Sequence, residues 1–224
     1  MSRIESITSS TIVPQDLATK IGINGVNEII SVLWKGYHDL KNDISIQIDE
    51  YTEEDDITQK WFEKVQLIWH SQNRATAIVL NDLVPMHQYS DTFMKKKRGK
   101  KSPTIDFCFK DWTTSNSYFG AEAKNLYEKR KDMIKRYVST GVKNYTIGRY
   151  GSQSSKSSII GYVLSGKIPE IVQEIKSEIQ KDYPIYNLTR IMTIKEPIYH
   201  SKHMRTFDHQ EIVLFHLFFD FTTK

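Results

Sequence analysis

Residues 104–112, TIDFCFKDW, and residues 118–124, YFGAEAK, decide how this chain folds. In the first stretch Ile105, Phe107 and Phe109 alternate with Asp106 and Cys108, the period-two pattern of a half-buried strand. Residues 113–116 are turn-forming polar sequence. In the second stretch Phe119, Ala121 and Ala123 alternate with Gly120, Glu122 and Lys124. Two such runs joined by a short polar turn predict a β-hairpin. Residues 125–138 then bring Leu126, Met133, Ile134, Tyr137 and Val138 to one side of a helix that Gly141 would end, so a βα unit follows the hairpin.

Working outward, residues 25–41 carry Val26, Ile29, Ile30, Val32, Leu33 and Tyr37 at helical spacing. Residues 54–70 put Ile57, Trp61, Val65 and Ile68 on one stripe of a second helix, entered through acids that suit its dipole. Downstream, residues 145–150 and 159–164 read as short strands separated by Ser-rich sequence, within which Gln153, Ser154, Ser155 and Lys156 read as a flexible connection. Ile168, Ile171, Val172, Ile175 and Ile179 mark another helix, and residues 188–194 and 212–221 close the chain with strands. The expected fold is α/β, or α+β in its mixture, with a central mixed sheet flanked by helices. No repeat and no long linker divides the chain, so the expectation is a single domain: a helical N-terminal part over 1–90, a core over about 100–166, and a C-terminal helix and strands over 167–224.

The chain has 224 residues, enough for a real core. Its 31 Lys and Arg against 27 Asp and Glu give a net charge of only +4, so distribution matters more than the total. Acids crowd into Asp49, Glu50, Glu53, Glu54, Asp55 and Asp56, whereas Lys95, Lys96, Lys97, Arg98, Lys100 and Lys101 form a basic block. By itself that block reads as a solvated loop; functionally it reads as phosphate attraction. Residues 212–221, the most apolar run, fall far short of the ~20 needed to cross a bilayer. Met1 leads into polar sequence and Cys108 stands alone, so the sequence predicts a reduced, cytoplasmic chain with no membrane partner and no cysteine zinc site within one subunit. No Gly-x-x-x-x-Gly-Lys-Ser/Thr or Gly-x-Gly-x-x-Gly loop is present, which removes nucleotide hydrolysis and dinucleotide binding by those routes. His200, His203 and His209 read as scattered surface histidines, and Trp34, Trp61, Trp69 and Trp112 read as core or interface. Cys108 lies on the Asp106 face with no histidine to activate it.

Acid-x-Lys triplets are common, and Asp39-Leu40-Lys41 and Glu174-Ile175-Lys176 fall in predicted helices, where side chains at i and i+2 point apart. Glu122-Ala123-Lys124 differs because on a strand i and i+2 share a face. Asp106, on the neighbouring strand, also points away from the apolar face, so three polar groups can meet. Two carboxylates that meet are a site for a hard divalent cation such as Mg²⁺. A lysine beside them could orient a water for attack on a phosphodiester.

Taken together, Pro103-Thr104-Ile105-Asp106 followed by Glu122-Ala123-Lys124 resembles the PD-(D/E)xK motif of restriction-endonuclease-like nucleases. The resemblance implies a mixed sheet presenting Asp106, Glu122 and Lys124, a metal held by both acids and the Ala123 carbonyl, and an accessory acid from an upstream helix. Glu54 fits that last role, one turn before Ile57 on the inward stripe. One departure is that Pro103 stands three residues before Asp106. Residues 148–151, 159–166 and 216–221 are similar to uncharacterised bacterial members, some of them in restriction and phage defence. The resemblance therefore implies an Mg²⁺-dependent endonuclease, with Mn²⁺ as a substitute, acting on DNA with RNA as the other polymer. The block Lys95–Lys101 and Arg149 would contact phosphates, and cutting both strands would call for a homodimer or larger assembly. Two rivals stand beside it: a nucleic-acid-binding or interaction module without turnover, and a structural subunit whose acids only pair with Lys124.

Overall fold

The computed structural model describes residues 16–71, 82–91, 102–111, 116–183, 187–191 and 196–222. Helix α1 (Leu17–Asn42) opens on Asp16, whose carboxylate accepts the Thr19 amide at 3.0 Å, and it kinks at Gly22, where φ is +65°. Helix α2 (Glu54–Ser71) begins with Glu54, Asp55 and Asp56, acids that favour a helix N-terminus. The strands are β1 (Leu83–Ser90), β2 (Thr104–Asp111), β3 (Tyr118–Tyr127), β4 (Lys156–Ser165), β5 (Thr189–Arg190), β6 (Ile198–Met204) and β7 (Glu211–Asp220). Between β3 and β4 lie α3 (Lys131–Arg136), a π-helical stretch (Tyr137–Val142) and α4 (Lys143–Thr146); α5 (Ile168–Asp182) follows β4.

The strands form one seven-stranded sheet in the order β1-β2-β3-β4-β7-β6-β5. Pairings are antiparallel except β3 with β4 and β4 with β7. Parallel neighbours need a crossover, and helices supply both. The expected mixed sheet flanked by helices is therefore what forms. On one face α1 and α2 bury Val26, Ile29, Leu33, Ile57, Trp61 and Val65 against Phe107, Phe109, Tyr162 and Phe219. Gly36 lets these helices meet closely, because a Cβ there would lie 2.5 Å from Val65 Cγ2. On the other face Ile134, Tyr137, Val142 and Tyr145 join Ile171, Ile175 and Ile179 over Ile159, Val163 and Phe218. β3, β4 and β7 are buried on both faces, as expected of strands covered by helices on both sides.

Several expectations need correction. The N-terminal part is not wholly helical: β1 occupies Leu83–Ser90 as an edge strand, where Pro85 is tolerated. Residues 145–150 are not a strand but the end of α4 and a turn. Gly141 does not end a helix; the backbone passes through it in the π stretch and continues. Of the strand expected over 188–194 the described residues show Thr189–Arg190, residues 192–194 lying outside them, and β6 emerges from sequence too polar to show the pattern.

The Ser-rich connection is fixed rather than flexible. Ser152 and Ser154 are buried, and Ser155 donates its amide and hydroxyl to Asp16 at 2.8 and 2.6 Å. Arg205, itself buried, donates to the Ser152 carbonyl at 2.9 Å and to that of Ser154.

His203 is no surface histidine; it is fully buried, as is His216. Tyr137 Oη lies 2.9 Å from His216 Nδ1, His216 Nε2 lies 2.8 Å from Ser201 Oγ, and that hydroxyl lies 2.7 Å from His203 Nε2. Burial pushes His203 down to about 4 and His216 well below the usual imidazole range. Both rings are therefore neutral in the fold at neutral pH. Unfolded histidines take up protons below about pH 6.5, so their contribution is present above that pH and is lost as pH falls toward 4. Relative to wild type, His216→Gln should therefore lose less melting temperature, or gain more, when melts are compared from pH 7 to 4.5.

Candidate active site

The β2–β3 ladder runs from Lys110↔Tyr118 to Phe107↔Ala121 and stops. Beyond it the outer edge of β3 has amides that no strand among the described residues receives, and carboxylates take over. Asp106 Oδ2 accepts the Ala123 amide at 2.7 Å, and Glu54 Oε2 accepts the Asn125 amide at 3.1 Å. Ile105 departs from the expected alternation here: it packs with Cys108 and Tyr118 rather than with Phe107 and Phe109, because β2 breaks its regular pairing as the Asp106 side chain replaces the ladder.

Glu122 and Lys124 project from the same face of β3, as i and i+2 must, and both are buried. Lys124 Nζ lies 3.0 Å from Glu122 Oε1 and 2.9 Å from Glu54 Oε1, and it also donates to the Ala123 carbonyl. The structure thus brings together Asp106, Glu122, Ala123, Lys124 and Glu54. The other acid-x-Lys triplets lie in α1 and α5. Arg149 is exposed on the turn after α4, its guanidinium 5.9 Å from the Tyr150 ring centre. The basic block Lys95, Lys96, Lys97, Arg98, Lys100 and Lys101 lies outside the described residues, as does Trp112. Cys108 is a buried thiol pushed far up by that burial.

Electrostatics at the cluster follow from burial. It raises Asp106 to about 6 against the pull of Lys124 and the Ala123 amide. It raises Glu122 to about 8, with Asp106 adding to the rise and Lys124 opposing it. Burial alone would lower Lys124, but Glu122, Asp106 and Glu54 outweigh it and hold the ammonium charged. Glu122 Oε2 is buried and has no hydrogen-bond partner among the described residues. A carboxylate oxygen left this way is destabilising unless something meets it.

Whether these groups fit a divalent cation can be judged from that donor set. Among the described residues no three His, Cys, Asp or Glu side chains form a ready cage. Two carboxylates and a backbone carbonyl, one carboxylate oxygen being unmet, are nonetheless the hard oxygen donors that Mg²⁺ takes alongside its retained waters. The residues fit such an ion with water completing its shell.

Sequence reasoning missed Asn125, whose amide anchors Glu54 and whose side chain donates to the Thr52 carbonyl at 3.1 Å. It also missed Tyr145, whose ring centre lies 5.8 Å from that of Tyr150; the hydroxyls of both feel Glu122 and Asp106. No signal in the sequence marked Tyr145, since its stretch alternates like a strand. Compared with known protein families, curated proteins and solved structures, the chain finds no match in any of the three.

Carboxyls raised above their unfolded values favour folding while protonated, so this contribution is present at low pH and is lost as pH rises through about 6 and about 8. In EDTA this contribution should fall between about pH 4 and pH 8, the part above pH 6 belonging to Glu122, so Glu122→Gln should remove most of the decline between pH 6 and 8 in differential scanning calorimetry.

Proposed function

We propose that this chain is a divalent-metal-dependent nuclease of the restriction-endonuclease-like kind, hydrolysing phosphodiester bonds of DNA. The observation that carries the proposal is the meeting of Asp106, Glu122 and Lys124 at the edge of β3, with Glu122 Oε2 buried and unmet among the described residues. Supporting it, a mixed sheet flanked by helices that presents these residues on β2 and β3 agrees with what the motif implies. No described helix is long and apolar enough to cross a membrane.

In this reading Asp106, Glu122 and the Ala123 carbonyl hold Mg²⁺ or Mn²⁺. When bound, the ion supplies a Lewis acid to the phosphate and an acidified water. Asp106 is itself oriented by the Ala123 amide, which its Oδ2 accepts at 2.7 Å. Lys124 orients the attacking water and balances charge that builds on the phosphoryl oxygens. Glu54 steadies Lys124 while tying α2 to β3. Arg149, exposed beside Tyr150, is positioned for backbone phosphate, a contact that is salt dependent and blind to sequence.

One observation favours the rival reading of a structural pair: Lys124 already has three oxygens around it. A thermal melt separates the two, because only a metal-binding chain is stabilised by millimolar Mn²⁺. For activity, supercoiled DNA, single-stranded DNA and RNA are incubated with Mg²⁺, Mn²⁺ or EDTA. Metal-dependent cutting that falls by about 10²-fold or more in Asp106→Ala and in Lys124→Ala is the expected result. A wild-type chain inert on every substrate, and unshifted by Mn²⁺, overturns the nuclease.

A further inference from the structure

The position of the Lys124 ammonium carries a further consequence, which rests on the metal-dependent reading above. Its nitrogen is not directed to open solvent, where a lysine on a strand edge would ordinarily reach. It is drawn back along β3 onto the carbonyl of the residue before it and onto Glu122 Oε1 at 3.0 Å. Those are two of the donors that a divalent ion would take. An ammonium and a metal ion share a preference for such oxygens and differ in approach, about 2.9 Å against about 2.1 Å for Mg²⁺. Both cannot stand there at once.

Glu54 has a different standing in the cluster. Its Oε2 is committed to the Asn125 amide at 3.1 Å and its Oε1 to Lys124 at 2.9 Å. With both oxygens engaged, it is placed to keep the lysine rather than to ligate. Glu122 is the converse case, with one oxygen on Lys124 and the other, Oε2, buried and unmet among the described residues.

We propose that in the metal-free chain the Lys124 ammonium occupies the divalent-cation position, so that metal entry is an exchange of cations in which Lys124 leaves Glu122 and the Ala123 carbonyl but stays with Glu54. The lysine then acts as a built-in competitor that keeps the carboxylates paired until a metal arrives, and its displacement carries it to the side from which it can meet a water. Glu54 is the positioning residue that limits how far it moves.

Crystals of the wild-type chain with and without Mn²⁺, compared by anomalous scattering, test this directly. Expected is an anomalous peak where Nζ stood, in contact with Glu122 and the Ala123 carbonyl, with Lys124 moved off both and still bonded to Glu54. A peak elsewhere with Lys124 unmoved overturns the exchange while leaving the metal site standing. Absence of a peak together with no Mn²⁺ stabilisation in solution overturns both. Calorimetric titration adds a second measure: Lys124→Met, inactive but freed of the competing charge, should bind Mn²⁺ about tenfold or more tightly than wild type at pH 8.5. Equal or weaker binding counts against the exchange.

Discussion

A buried amide needs a partner, and leaving one bare costs about 1–3 kcal/mol. The early end of the β2–β3 ladder creates that need at Ala123 and Asn125, in the middle of a sheet whose central strands are covered on both faces. Had β2 kept this register as far as Pro103, its backbone carbonyls would have faced these amides and no acid would be called to the edge. Because it stops, Asp106 from β2 and Glu54 from α2 are both drawn to one stretch of β3. The site is thus assembled by unfinished pairing, and the same bonds that complete the backbone aim the carboxylates.

Such a cluster is tolerated in a protein interior only because its charges answer one another. Buried ions lose far more hydration than isolated pairing restores. Here Lys124 is met by three oxygens, while Asp106 and Glu54 remain half-buried at the rim. Tyr145 and Tyr150 form an aromatic wall below, brought there by α4 and the turn behind it. That turn runs directly into the serine loop, which Asp16 and Arg205 clamp from opposite ends of the chain. The N-terminal cap of α1 and the segment after β6 therefore bear indirectly on a site neither touches.

The hairpin and its acid-x-Lys triplet were legible because alternation is a local property, and Phe107, Phe109, Phe119 and Ala121 repeat it cleanly. The inward face of α2 was legible for the same reason, and with it Glu54. Ile105 was misassigned because alternation assumes a continuous ladder, and a side chain took the ladder's place. Polar segments hid what long-range bonds decide: Ser152 and Ser154 look like a mobile linker until Arg205, distant in sequence, donates to their carbonyls. His203 looks like a surface residue until His216 and Ser201 meet it. β1 was obscured by Pro85 and by the irregular Gln88, whose φ is +49°. Tyr145 had no local mark at all; its relevance comes entirely from where the π stretch and α4 deliver it.

That π stretch, Tyr137–Val142, holds one residue more than an α-helix of the same rise would use. The surplus turns everything after it by about 100° relative to an uninterrupted α-helix. Tyr145 follows directly, and its hydroxyl reaches the Ser158 carbonyl at 3.2 Å under β3. Losing a single residue between 137 and 142 would restore regular winding and swing Tyr145 a quarter-turn or more away from the sheet. In this crossover, insertion and deletion are therefore not neutral changes of length; they set the angular phase of the wall beneath the carboxylates.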